Sequence, residues 1–185
     1  MSLDTQVQNK KRIDLDKLEQ IWLFGYGSLI YKVDFPILTQ HDAFIKGWER
    51  RFWQGSHDHR GTPDNPGRVL TLTESPGATC QGIAYQVSLD IFDYLDHREK
   101  NGYLRHLVTI YLADQSVEGV IYIADQTNAA FLGPASEQDI AAHIARSSGP
   151  SGPNTEYIMK LAESLRSKGF HDDHVFAIEK ALVAI

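Results

Sequence analysis

The apolar residues change texture once along this chain, and that change limits the architectures open to it. From Ile21 onward they come in short runs rich in β-branched and aromatic residues: Ile21 to Phe24, Ala43 to Trp53, Arg68 to Thr73, Ala78 to Val87, Arg105 to Ala113 and Val117 to Ala124. Such runs, bounded by turn residues, predict strands. Asp114, Gln115 and Ser116 join the last two as a hairpin. Past Ser136 the spacing becomes helical. Ser136 with Asp139 forms a capping-box pattern ahead of Ile140, Ala141 and Ile144. Asn154 is placed to cap a helix carrying Ile158, Leu161, Ala162 and Leu165, which Gly169 ends, and Asp172 or Asp173 starts a last helix through Leu182. Strands first and helices later predict an α+β domain, a small curled or barrel-like sheet with helices at one side.

At 185 residues the chain suits one domain with a sizeable core. Residues 21–185 are read as that domain, and residues 1–20 as a flexible N-terminal leader with a short helix over 13–18. A net charge of −6 offers no broad basic surface for a phosphate backbone, so no nucleic-acid partner is expected. No apolar stretch approaches a membrane span, and the polar start has no signal-peptide core, so no membrane partner is expected and the cytoplasm is the expected location. Cys80 is the single cysteine, which leaves no internal disulfide and suits a reducing compartment; its flanks, Thr79 and Gln81, give no sign of an activated thiolate.

Between the fourth and fifth strands lies SLDIFDYLDHREKNGY. Ser88 reads as an N-cap and Asn101-Gly102 as a left-handed stop, giving a three-turn helix over Leu89 to Lys100. On that helix Glu99 falls about 20° from Phe92 and about 40° from Leu95. A carboxylate is thus aimed along the inward stripe, while Asp93, Asp96 and Lys100 take the other face. The position fits a catalytic acid or base; it also fits a structural ion pair with Arg98 or Arg105, or a side chain that escapes to solvent in the fraying last turn.

A second feature is FGYGSLIYK, from Phe24 to Lys32, directly after the first strand. It is not a nucleophile elbow, because the serine follows the second glycine and no glycine stands two positions on, so Ser28 is a poor nucleophile. Neither glycine spacing fits a phosphate loop. What remains is a bent run of backbone N–H groups suited to an anion such as a carboxylate, or an ordinary strand-end turn. His57-Asp58-His59 and His171-Asp172-Asp173-His174 lack a second ligand set at a recognised spacing, so no metal is expected. GTPDNPGR, from Gly61 to Arg68, reads as a rigid surface loop.

Six collinear blocks resemble the ChaC family of glutathione-specific γ-glutamylcyclotransferases: WLFGYGSLI at 22–30, RRFWQGSHDHRGTPDNPGRVLTL at 50–72, GIAYQV at 82–87, YLDHREKNGY at 94–103, FLGPAS at 131–136 and SSGPSGPNTEY at 147–157. The resemblance extends over residues 21–179. It implies a small mixed β-barrel of the γ-glutamylcyclotransferase type with flanking helices, and release of 5-oxoproline from a γ-glutamyl group. It assigns the essential carboxylate to Glu99, and the grip on the γ-glutamyl end to Tyr26, Gly27, Ser28 and Leu29. Tyr157 would line the pocket, and Tyr103 and Arg60 its rim. Gln81, where a tryptophan is expected, and Phe131, where a tyrosine is common, depart from the family pattern and bear on packing or on the peptide side of the pocket.

The implied chemistry asks for no cofactor and no metal. A γ-glutamyl amide carries its own nucleophile, the α-amine, so one carboxylate can manage the protons. The expected partner is a small molecule, glutathione or another γ-glutamyl peptide, acted on by a monomer. The alternatives are a cyclotransferase for other γ-glutamyl amino acids or amines, and a regulatory module that binds a γ-glutamyl ligand without turnover.

Overall fold

Five strands close into a barrel in a computed structural model that describes residues 3–185. They are β1 (Ile21–Gly25), β2 (Thr39–Ser56), β3 (Gly67–Val87), β4 (Leu104–Tyr111) and β5 (Ser116–Ile123), neighbouring one another in the order β1-β3-β2-β4-β5. The barrel is mixed: β1 runs parallel to β5, with Leu23 opposite Val120, and the other pairings are antiparallel. Closure removes the exposed strand edges that an open sheet would present. All five residues of β1 are buried, which matches its unbroken apolar text. Leu23, Phe24, Ile45, Phe52, Ile110 and Ile121 are among the fully enclosed side chains of the core.

The expected break between Arg68–Thr73 and Ala78–Val87 is absent, and β3 runs through it. Pairing with β2 slips between Lys46 and Trp48, opposite the stretch from Glu74 to Thr79, so Ser75, Pro76, Gly77 and Ala78 are absorbed as an irregularity opposite Gly47. Gly47 (φ 82°) and Gly77 (φ 86°) hold the left-handed conformations this requires. Turn residues there bend a ribbon instead of ending it. The hairpin from β4 to β5 forms as expected, closed by Leu112 N–H donating to Gln115 O at 2.8 Å.

Three helices pack together and against β2 and β3: α3 (Glu137–Ala145), α4 (Asn154–Ser167) and α5 (Asp173–Val183), numbered after α1 (Gln6–Arg12) and α2 (Phe92–Arg98). Ser136 caps α3, its hydroxyl accepting from Asp139 N–H at 3.1 Å, and Asp172 caps α5 by accepting from Val175 N–H at 3.0 Å. Asn154 does something other than expected. Pro153 takes the cap position, and Asn154, fully buried, cross-links α4 to β3 by accepting from Arg68 N–H and donating to Arg68 O. Its amide satisfies two backbone groups that burial would otherwise leave unpaired.

Two further expectations are corrected. The helix over Leu89 to Lys100 is shorter: a 3₁₀ turn at Leu89–Ile91 leads into α2, the Ser88 side chain makes no cap bond, and Glu99 is the C-cap. Gly102, at φ 92°, does reverse the chain as expected. The leader is not free. Its helix is α1 rather than 13–18, where only a 3₁₀ turn at Leu15–Lys17 forms, and Thr5 and Asn9 donate to Tyr103 O at 2.8 and 3.0 Å. Asn9 also accepts from Arg105 N–H, so the segment is stitched to the start of β4. Residues 1 and 2 of that leader lie outside the described residues.

Asp96, expected on the exposed face of its helix, is completely enclosed. Arg105 on β4 donates to both its carboxylate oxygens, at 2.9 and 2.6 Å, and the Tyr122 hydroxyl on β5 donates at 2.8 Å. Removing one member of such a pair strands the other charge, at a cost of about 3–5 kcal/mol. Asp96→Ala is therefore expected to lower unfolding stability by about that much in urea titrations. Asp93→Ala, which removes the exposed Lys10–Asp93 pair, is expected to leave the midpoint unchanged within error.

Candidate active site

The chain leaves β1 through a bend that two glycines permit. A Cβ on Gly25 would lie 2.8 Å from the Leu29 Cβ, and one on Gly27 would lie 3.1 Å from the Tyr157 hydroxyl. The backbone folds back over itself and then starts a single 3₁₀ turn at Ser28–Ile30. The N–H groups of Gly27, Ser28 and Leu29 donate to no group among the described residues. They form the unengaged amide run that the sequence pattern suggested.

Two cavities meet beside this bend. An inner one of about 50 Å³ is bounded by Phe24, Leu29, Leu70, Tyr26, Gly27 and Tyr122, together with Ser28, Glu99, Tyr103 and Tyr157. An outer one of about 240 Å³ shares those last four residues. Glu99 therefore stands at the junction. Its side chain is 17% exposed, and the walls around it hold its carboxyl above the ordinary carboxylate range, chiefly because burial disfavours the charge. The Arg98 guanidinium opposes this but does not cancel it.

Arg98 was considered in the sequence only as an ion-pair partner for Glu99, and the structure gives it more to do. It donates to Ser28 Oγ at 3.1 Å, to Asp34 at 2.9 Å and to Lys32 O at 3.2 Å, while its Nε lies 3.6 Å from Glu99. Its charge is thus shared with Asp34. The other candidate partner, Arg105, is committed to Asp96.

Apart from Glu99, the inner walls carry no ionisable groups but phenols. Tyr103 donates its hydroxyl to Leu70 O, Tyr157 accepts from Leu70 N–H at 3.3 Å, and Tyr26 donates to Tyr122 O at 2.7 Å. Burial pushes the hydroxyls of Tyr26, Tyr103, Tyr122 and Tyr157 well above their usual range. Leu70 fixes two of these rings from one strand position.

All eight residues singled out in the sequence border this joined space. Tyr26, Gly27 and Leu29 line the inner part, Ser28, Glu99, Tyr103 and Tyr157 the junction, and Arg60 the outer part. Arg60 is buried and donates to Pro153 O and Glu156. The outer cavity adds Tyr31, Asp58, His59, Tyr94 and Arg98, which sequence reasoning did not assign to the site. Asp58 and His59 belong to the HDH triplet, whose spacing in the sequence points at most to metal ligands.

Gln81 and Phe131 border neither cavity. Gln81 accepts from Arg50 and from His171 N–H, and Phe131 pairs with Gln54, so both departures from the family pattern concern packing. His174 accepts from Phe52 N–H at 3.1 Å, a core contact. Among the described residues no cluster of three or more His, Cys, Asp and Glu side chains could hold a metal ion, and no helix is long and apolar enough to cross a membrane.

The fold is a closed mixed barrel in which a buried carboxylate and a run of unengaged backbone amides border one cavity. Comparison with known proteins gives the family. Residues 21–184 match the family described as ChaC-like protein, and the chain belongs to it. It is 44% identical to Gamma-glutamylcyclotransferase 2-3 of Arabidopsis thaliana, over 84% of each chain. It is 41% identical to Glutathione-specific gamma-glutamylcyclotransferase 1 of Danio rerio, over 89% of each. A crystal structure of the selenomethionine-labelled γ-glutamyl cyclotransferase specific to glutathione from yeast superposes with a TM-score of 0.82 at 31% identity, covering 89% of this chain and 96% of that one.

Because burial raises the Glu99 carboxyl's pKa in the folded state, the native protein binds its proton more tightly than the unfolded chain does. Stability contributed by this group is then greatest in acid and is lost as pH rises through the folded value. Glu99→Gln, which stays neutral, is expected to show a higher urea midpoint than the native chain at pH 8, with the gap closing at pH 4. The opposite order would mean that Arg98, not burial, governs the group.

Proposed function

We propose that this protein is a γ-glutamylcyclotransferase that converts glutathione to 5-oxoproline and cysteinylglycine. The observation that carries this reading is the position of Glu99, raised in pKa by burial and set at the junction of two cavities beside the unengaged amides of Gly27, Ser28 and Leu29. The names of the relatives support the same substrate.

In this reading the inner cavity takes the γ-glutamyl end, with its α-carboxylate on the loop amides. Tyr26, Tyr103 and Tyr157, kept neutral, shape the space without competing for a proton. The α-amine then lies near its own δ-carbonyl. Well-oriented intramolecular attack carries effective molarities of about 10⁵–10⁸ M, so holding the chain folded supplies a large part of the rate.

The proton is the remaining difficulty. An α-amine has a pKa of about 8 and a solvated glutamate about 4.3, so in water the carboxylate is too weak a base by almost four decades. Each unit by which burial raises Glu99 removes one of them, worth about 1.4 kcal/mol. Glu99 accepts the amine's proton as nitrogen bonds to the δ-carbon, and donates it to the cysteinyl nitrogen as that C–N bond breaks. Arg98 orients the carboxylate's neighbours by tying Ser28 to Asp34. Arg60 borders the outer cavity, where the cysteinylglycine part would lie.

We place this chemistry in the cytoplasm, in a monomer that needs no cofactor or metal. Cys80 is the single cysteine and so forms no internal disulfide, which suits a reducing setting. The other readings keep the site and change the ligand or the outcome: other γ-glutamyl amino acids or amines, or binding without turnover. Gln81 lines neither cavity and so gives no support to a changed substrate.

Incubation of the purified protein with glutathione is expected to release 5-oxoproline; binding without release would make it a sensor, and a panel of γ-glutamyl dipeptides would expose a broader enzyme. Glu99→Gln is expected to lower turnover by about 10²–10⁴-fold with glutathione binding retained. Ser28→Ala is expected to lose tenfold or less, on the order of one modest hydrogen bond. A folded but inactive Ser28→Ala protein would return the hydroxyl to consideration as a nucleophile.

A further inference from the structure

Glu99 is the last residue that α2 holds, through its N–H to Leu95 O at 2.9 Å, and β4 does not begin until Leu104. Between them the chain reverses at Gly102, so its backbone groups fall outside helix and sheet pairing and need partners from elsewhere. The start of β4 has a similar need. It pairs with β5, but β2 meets β4 only at Phe44 opposite Tyr111, which leaves the other edge near Arg105 without a strand.

The N-terminal segment fills both gaps. Gly102 N–H donates to Leu3 O at 3.0 Å, and Thr5 N–H donates to Lys100 O at 3.0 Å. The Thr5 hydroxyl and the Asn9 amide both donate to Tyr103 O, at 2.8 and 3.0 Å. Asn9 Oδ1 accepts from Arg105 N–H at 2.8 Å, and Arg12 Nε donates to Arg105 O at 2.6 Å. Thr5 and Asn9 are buried, Asn9 completely, which shields these bonds from competing water. All of these partners precede the family match, which begins at residue 21. What they hold is the site: Glu99 and Tyr103 stand at the two ends of the reversal, and both line the inner and the outer cavity.

We infer that Thr5 and Asn9 are positioning residues for the reaction: by pinning the backbone of Lys100, Tyr103 and Arg105 they set Glu99 and the Tyr103 ring beside the loop amides of Gly27 to Leu29. This rests on the cyclotransferase reading above and adds to it a segment outside the barrel. Neither residue lines a cavity, so the effect passes through the backbone. Intramolecular attack demands close alignment, and a displacement too small to disturb the fold is enough to slow it. Releasing the reversal also admits water to Glu99. Burial holds that carboxyl above its ordinary range, with Asp58 and Asp34 adding to the rise and Arg98 and His59 opposing it, while Tyr26, Tyr103 and Tyr157 face it as neutral phenols.

The test uses the full chain with Thr5→Val, Thr5→Ser and Asn9→Ala. With glutathione, Thr5→Val and Asn9→Ala are expected to lose about tenfold in kcat with KM changed little, and Thr5→Ser, which keeps the hydroxyl, to recover the native rate. Ser136→Ala, which removes a helix cap bordering neither cavity, serves as the control for lost stability and is expected to keep the native kcat. A second measurement reads Glu99 directly: carbon NMR of the protein labelled at glutamate, with Glu99 assigned by its loss in Glu99→Gln. In Thr5→Val and Asn9→Ala its titration is expected to fall toward the value of about 4.3 of a solvated glutamate. Should Asn9→Ala fail to fold, Thr5→Val, which keeps the side-chain volume, decides the matter. An unchanged kcat, a loss matched by Ser136→Ala, or an unmoved Glu99 titration would overturn the inference. No 5-oxoproline from the native chain would sink the cyclotransferase reading instead, and the titration would still show whether Thr5 and Asn9 place Glu99.

Discussion

The enclosed contact among Asp96, Arg105 and Tyr122 is the constraint from which the site's geometry follows. It joins α2 to β4 and β5, and because the Tyr26 hydroxyl donates to Tyr122 O, it also reaches the chain emerging from β1. Glu99 lies one turn beyond Asp96. Moving two charges out of water is expensive, and their mutual attraction repays this only when geometry and hydrogen bonding are good. Here both carboxylate oxygens are engaged and the guanidinium sits over the Phe92 ring, 5.1 Å from its centroid. What the contact supplies is position: one orientation of α2 satisfies it, and that orientation presents Glu99 to the cavity.

At Glu99 two effects compete, and their balance sets how tightly it holds a proton. Desolvation raises the carboxyl's pKa, while the Arg98 guanidinium lowers it. Desolvation wins because Arg98 is already committed, with Ser28, Lys32 O and Asp34 occupying its terminal nitrogens and only its Nε facing Glu99 at 3.6 Å. A close bidentate pair would have held Glu99 ionised and weakly basic. Structural ion pairing and an inward carboxylate free for proton transfer compete as readings of the sequence; in the structure Glu99 keeps a loose contact with Arg98 and still borders the cavity.

The neutral tyrosines complete it. Four phenols around the inner cavity provide polar edges without a charge, and their hydroxyls are spent mainly on backbone groups of Leu70 and Tyr122. The wall is buried and its hydroxyls are hydrogen-bonded, and low polarity is the condition under which a carboxyl keeps a raised pKa.

Much of this was legible along the chain. The strands after Ile21, the caps at Ser136 and Asp172, the reversal at Gly102 and the bend at Gly25 each depend on residues within a few positions of one another, the range over which propensity and turn chemistry act. Glu99 was found because its spacing from Phe92 and Leu95 is also local. Family blocks extended that reading to Tyr26, Tyr103, Tyr157 and Arg60.

Tertiary structure alone decided the rest. Asp96 looked solvent-facing on a wheel, yet β4 and β5 cover that face too; Asn154 looked like a cap, yet Arg68, far away in the sequence, claims its side chain. The leader's docking on Tyr103 likewise depends on which distant segment arrives beside it. Which elements form is a short-range matter of backbone preference and apolar spacing. Whether a polar side chain ends in water, in an ion pair or facing a cavity depends on neighbours that only the closed barrel brings together.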